Sequence, residues 1–214
     1  MTSGRGSSGG EDDARRGRRG RRGDGDVAMK HFRQAVALAP DDPLTVAELT
    51  IALLDGLSLG GGSELAMACQ AIIATPSGSL GFPETGIGIF PGLGGMLCMA
   101  RFTGPELAKY YVFTGIPINA ADALALGIIT RLVEPAEVES AISQLVSEEK
   151  SDKYRPTDLP EKFAMLAQVC SSENVARLLA GKLPEGVPGE VAAKTAKIIG
   201  YKAPLALKLA NEII

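Results

Sequence analysis

Ile51-Ala-Leu-Leu-Asp-Gly-Leu-Ser-Leu-Gly-Gly-Gly-Ser-Glu64-Leu-Ala-Met-Ala-Cys69 is the stretch whose reading decides the fold. Its front, Leu49 to Leu54, is a short apolar run of the kind that forms a strand buried on both faces. Asp55-Gly56 turns the chain. Gly60-Gly-Gly62 then leads into a helix expected from Ser63 to about Gln70, and three glycines permit close backbone approach. Ala71-Ile-Ile-Ala-Thr75 reads as a second strand, closed by Pro76-Ser-Gly-Ser79. Leu80 to Pro83 is extended, Gly86 to Gly95 forms a structured loop, and a helix follows from Gly95 to Phe102. Strands alternating with helices define an α/β class.

Charge is nearly absent from this region. No Lys or Arg occurs from Gln34 to Ala100, and between Gly56 and Gly95 the only carboxylates are Glu64 and Glu84. A carboxylate in apolar surroundings carries a large desolvation cost unless something compensates it. Two of them in glycine-rich turns are candidates for a paired acid/base site. The start of a helix exposes unpaired N–H groups and a partial positive charge. Gly60 to Glu64 therefore has the makings of an oxyanion-binding element with an acid in its first turn. Twenty residues separate the two glutamates, so no helix or strand period pairs them. Spacing alone leaves open a solvated helix-start residue at Glu64 and a loop cap at Glu84.

The remainder of the chain is read from its breakers. Pro105 starts a helix over 106–114. Asn119 is an N-cap, with Asp122 three residues on, for a short helix that Gly127 stops. Ile128 to Val133 reads as a strand. Helices are expected over 136–149, 160–170, 173–182, 188–199 and 204–213. Ahead of the core, residues 1–26 are a Gly/Ser/Arg/Asp tail expected to be disordered. Residues 27–45 are a short helix and linker. The division is thus a tail over 1–26, the helix and linker over 27–45, an α/β core over 46–134 and a helical region over 135–214.

Bulk composition excludes several classes. The 214 residues are 45% hydrophobic and 22% charged, with a net charge of −3. This gives no global pull toward nucleic acid or anionic lipid. The Arg pairs of the tail lack the interleaved aromatics that stack on bases, so a solvated extension is preferred over an RNA-contacting arm. The three cysteines, Cys69, Cys98 and Cys170, are widely spaced and form no metal pattern, and reduced thiols in a cytoplasmic protein are expected. The single histidine, His31, is expected to be an exposed helix residue, so neither a His-based triad nor a metal site is anticipated. No apolar run reaches the length of a membrane span.

With these residues in view, the stretch 51–69 resembles the signature of the enoyl-CoA hydratase/isomerase (crotonase) family. Leu80-Gly-Phe-Pro-Glu-Thr-Gly-Ile-Gly-Ile-Phe-Pro-Gly-Leu-Gly-Gly95, Phe113 to Thr130 and Lys202 to Ala210 are similar to its later blocks. The resemblance covers roughly residues 46–214. It implies a crotonase-like spiral of ββα units, incomplete at its N-terminus, with a helical C-terminal region.

By the same resemblance, Gly61 would offer its N–H to a thioester oxygen. Glu64 would activate water, and Glu84 would protonate the α-carbon. Gly60, Gly62, Pro91 and Gly92 would line the substrate site. The implied reaction is hydration of a trans-2-enoyl-CoA to a 3-hydroxyacyl-CoA, in fatty-acid or related acyl-CoA metabolism. CoA would be part of the substrate, and no separate cofactor or metal would be needed. Hydratases of the family carry both acids, whereas simple double-bond isomerases often lack the first. Related hydrolases usually have an Asp after the loop proline, where this chain has Gly92. A homotrimer or hexamer is implied. The family's front strands, its CoA-binding loop and its second oxyanion N–H, in an Ala-Gly-Ala-Asp type motif, have no counterpart before Leu49. An isomerase, or an inactive piece acting only in assembly, are the alternative expectations.

Overall fold

The computed structural model describes residues 49–148 and 159–214. The expected tail, the helix over 27–39 and His31 lie outside the described residues.

Among the described residues, six strands build two small sheets. β1 (Ile51–Leu54) crosses by the Asp55-Gly56 turn to β2 (Leu57–Leu59), and helix α1 (Gly61–Ala68) follows. The unit then repeats. β3 (Ala71–Ala74) leads to β4 (Ser79–Gly81), then to a single 3-10 turn (Glu84–Ile87) and helix α2 (Gly95–Thr103). The first strand of each unit joins one sheet and the second joins the other. β1 pairs parallel with β3, Ile51 opposite Ala71, and β2 pairs parallel with β4, Leu59 opposite Gly81. β5 (Ile118–Asn119) runs antiparallel to β4, and β6 (Arg131–Leu132) runs parallel to β3. This is the spiral of strand–strand–helix units that the resemblance implied.

β3 explains why its sequence lacks alternation. Ala71, Ile72, Ile73 and Ala74 are all fully buried, because helices or strands cover both faces. The two crossings are stapled by polar groups. Thr75 and Ser77 donate hydroxyl hydrogen bonds to Asp55 Oδ1, at 2.6 and 2.7 Å.

Helix α3 (Pro105–Thr114) runs through the centre of the main core, with Leu107, Ala108, Val112 and Phe113 fully buried. α4 (Ala120–Ala125) starts where the N-cap reading placed it, since Asn119 Oδ1 accepts the Asp122 N–H at 2.9 Å. α5 (Val138–Ser147) packs Ala141 and Leu145 against Ile51, Ala71 and Ile73, forming a second cluster on the opposite face of the β1–β3 sheet.

α6 (Glu161–Val169), α7 (Ser172–Leu179), α8 (Gly189–Ile199) and α9 (Pro204–Ile213) complete the fold. Asn174 holds this region together. Its amide donates to the Gln168 and Glu185 carbonyls, and its oxygen accepts the Glu185 N–H. Just before α9, the Ala203 N–H donates to the Thr85 carbonyl at 3.0 Å, which ties the C-terminal helices to the Glu84 turn.

Several expectations change; the helices expected over 136–149 and 173–182 are Val138–Ser147 and Ser172–Leu179. Leu57-Ser-Leu59 is a strand, β2, where the sequence assigns no element, because two exposed leucines around Ser58 carry too short a pattern to announce it. α1 starts at Gly61 and ends at Ala68, two residues early at each end. The strand over 128–133 shrinks to Arg131–Leu132, since Ile128 and Ile129 bond back to the Ala123 carbonyl as the end of α4.

Candidate active site

The site forms where α1, the Glu84 turn and the start of α2 meet. Gly60 precedes α1 with φ 55° and ψ −123°, a conformation that side chains strongly disfavour. A Cβ at this position would fall 2.6 Å from Glu84 Oε1, so the Glu84 carboxyl group lies directly against Gly60. The Gly60 N–H donates to the Gly81 carbonyl at 2.9 Å, which ends the β2–β4 ladder. Gly61 is exposed and is the first residue of α1. Its N–H belongs to the group of helix-start donors that have no intrahelical acceptor.

Glu64 is 4% exposed. Its Oε1 accepts two backbone hydrogen bonds, from Leu93 N–H at 2.7 Å and from Gly95 N–H at 2.9 Å. Gly95 opens α2, so the carboxyl group sits on the N-terminus of that helix, an anion-binding arrangement. No side chain would fit at Gly95. A Cβ there would lie 2.7 Å from Glu64 Cγ and 2.6 Å from the Phe82 ring.

Glu84 is the first residue of its turn and is 8% exposed. Its Oε2 is buried without a hydrogen-bond partner. Burial raises its pKa; a hydrogen bond from its own backbone opposes this, and the charge of Glu64 adds to the rise. The fold thus brings the two distant glutamates within electrostatic reach. The turn is locked by Thr85, whose hydroxyl donates to the Val112 carbonyl at 3.1 Å. Lys202, whose pKa is lowered by burial, approaches the same turn. A Cβ at Gly115 or Gly86 would lie 3.1 or 3.4 Å from its Nζ.

Gly60, Gly61, Glu64 and Glu84 come together. Pro91 is buried and Gly92 exposed in the loop that ends at the Leu93 amide. Nearest to a Cβ at Gly62 is Ser58 Oγ at 3.0 Å, and nearest to one at Gly92 is the Phe90 carbonyl at 4.0 Å. Sequence reading missed the Leu93 and Gly95 amides, because backbone donors have no side-chain signature. The Gly94-Gly95 pair ahead of an apolar run was the available signal, as a helix start next to a close approach. Among the described residues no group of three or more His, Cys, Asp or Glu side chains is gathered as a metal site. None of the described helices is long and apolar enough to cross a membrane.

A spiral of strand–strand–helix units with a carboxyl group on each of two successive units defines a crotonase-like α/β protein. The sequence profile of enoyl-CoA hydratase/isomerase matches residues 4–214, and the chain belongs to that family. The chain is similar to a short-chain-enoyl-CoA hydratase of Clostridium acetobutylicum, 39% identical over 97 residues, which are 45% of this chain and 37% of that protein. A crotonyl-CoA hydratase of Syntrophomonas wolfei is 40% identical over 95 residues, 44% of this chain and 36% of that one. The chain therefore spans little more than a third of the length of these relatives. Among solved structures, an enoyl-CoA hydratase from Rhodobacter sphaeroides shares the fold, with a TM-score of 0.62 at 24% identity, over 89% of this chain and 56% of that one.

Proposed function

We propose that the chain carries hydro-lyase chemistry on an enoyl-CoA, adding water to a trans-2-enoyl thioester to give the 3-hydroxyacyl-CoA. The observation that carries this reading is the pair of buried carboxyl groups, Glu84 against Gly60 and Glu64 on the start of α2, near enough that the charge of Glu64 acts on Glu84, with a helix-start N–H at Gly61. The names of the two hydratases reported above support the same class.

In this reading the two acids divide the work. Glu64 has one oxygen held by the Leu93 and Gly95 amides, and its other oxygen takes a proton from water as the water oxygen bonds to the β-carbon. Electron density moves to the thioester oxygen, where the Gly61 N–H stabilises it. Glu84, whose raised pKa favours the protonated form, gives its proton to the α-carbon. Gly60, Gly62, Pro91 and Gly92 would line the acyl-CoA, and no group beyond the substrate's own CoA is invoked.

We further propose a cytoplasmic homotrimer or hexamer that binds neither nucleic acid nor membrane. Exposed Leu65, Leu93, Leu97 and Leu205 support self-association. Free thiols at Cys98 and Cys170 suit a reducing compartment. Sedimentation of the purified chain tests the assembly, and a monomer at micromolar concentration would count against it.

The activity is tested with crotonyl-CoA, followed by loss of the enoyl-thioester absorbance. Glu64→Gln and Glu84→Gln are each expected to lower kcat by about 10² to 10⁴. Hydration left intact in Glu64→Gln would sink the two-acid mechanism. Isomerisation of a 3-enoyl-CoA that survives Glu64→Gln and is lost in Glu84→Gln would point to an isomerase instead.

A further inference from the structure

Ser63 lies between Gly61 and Glu64 and is completely buried. Its hydroxyl is within hydrogen-bond distance of three backbone groups. It lies 2.8 Å from the Ser58 carbonyl and 3.1 Å from the Gly81 carbonyl, and it accepts the Gly81 N–H at 3.0 Å. A serine hydroxyl has one proton, so the nearer Ser58 carbonyl is the acceptor and the Gly81 amide the donor. Ser58 and Gly81 belong to β2 and β4, which pair with Leu59 opposite Gly81. The hydroxyl therefore joins the first turn of α1 to the last rung of that ladder.

What lies on either side of this joint matters. On the α1 side stand Gly61 and Glu64. On the β4 side, Gly81 leads through Phe82 and Pro83 into Glu84, whose carboxyl group lies against Gly60. We propose that Ser63 is a positioning residue: its hydroxyl clamps the first turn of α1 onto the strand that runs into Glu84, and so sets the separation of the two carboxyl groups. A buried side chain whose hydrogen bonds go to neither glutamate governs the geometry of both. Displacement of reacting groups by about an ångström is enough to cost on the order of a hundredfold in rate.

The test uses the full chain with its glutamate carboxyl carbons labelled with ¹³C, and Glu84 is assigned by the resonance lost in Glu84→Gln. In Ser63→Ala the carboxyl groups move apart and water gains access. The Glu84 titration midpoint is expected to fall by about half a pH unit or more, toward the ordinary glutamate value. Ser63→Cys keeps a similar shape with a weaker hydrogen bond, is expected to give a smaller fall, and decides the matter if Ser63→Ala does not fold. A second arm measures crotonyl-CoA hydration, where kcat is expected to drop at least about tenfold with KM within about twofold. A midpoint unchanged or raised in a folded variant, or an active variant whose kcat does not fall, overturns the proposal. The kinetic arm rests on the hydratase reading. A wild-type chain that does not hydrate crotonyl-CoA counts against that reading alone, and the titration still decides the role of Ser63.

Discussion

Glu84 shows how a single residue is placed against its own solvation. Its carboxyl group is buried with Oε2 unpaired, and the charge of Glu64 adds to the rise in its pKa. A raised folded-state pKa means that the native chain holds this proton where the unfolded chain has released it. The contribution to stability is full below the ordinary glutamate pKa and is lost as pH rises through the raised one. Glu84→Gln is thus expected to be more stable than wild type at pH 8, with the gap closing as pH falls to 4. Urea denaturation at the two pH values checks this, and an equal gap at both would contradict it. Gly95 is the complementary case, fixed by space. Because a Cβ there meets Phe82 and Glu64 inside 2.8 Å, Gly95→Ala is expected to destabilise the fold by about 1–3 kcal/mol and to displace the Glu64 carboxyl group. Equilibrium unfolding measures the first effect, and loss of hydration activity reports the second. The identities of both glutamates were legible in the sequence, since they are the only carboxylates in a long uncharged stretch. What holds them was not legible, since amide donors and missing side chains leave no mark at a distance.

Elements differ in how much of themselves they announce. α3 and α4 were legible because Pro105 and Asn119 are local start signals, and Asn119 accepts the Asp122 N–H as a cap should. Asn119→Ala is expected to cost about 1 kcal/mol, read as a lower urea midpoint with an unchanged slope. β2 was not legible. It is three residues long, and it is strand through its pairing with β4, which lies 22 residues later in the chain. β6 is a similar case, because its two residues are strand only through pairing with β3. The 3-10 turn at Glu84 owes its position to Thr85 reaching Val112 in α3, and to the Ala203 amide just before α9. Short elements of this kind take their structure from partners remote in sequence, while helices with caps take it from neighbours.

At the scale of the molecule, two apolar clusters lie on opposite faces of the β1–β3 sheet. Within β3, Ile72 joins the large cluster and Ile73 joins the smaller one under α5, as side-chain alternation along a strand requires. Ile73→Ala is expected to cost about 2–5 kcal/mol, since the site is fully buried and bordered by Ile51 and Leu145. Calorimetric unfolding measures it, and a loss under half a kilocalorie would show that α5 packs only loosely on that face. The sequence alone determined the α/β class, the main helices, the two acids and their apolar setting, because these depend on composition, caps and periodicity within a few residues. Only the tertiary structure decided that Glu64 and Glu84 come within electrostatic reach of one another, and that Gly60 and Gly95 leave room for their carboxyl groups. It also placed the Ser63 hydroxyl at the joint between the two units. Those facts depend on the parallel pairing of β2 with β4 and on the packing of α1 against α2. Such contacts form between segments twenty to thirty residues apart, where no local rule of sequence reaches.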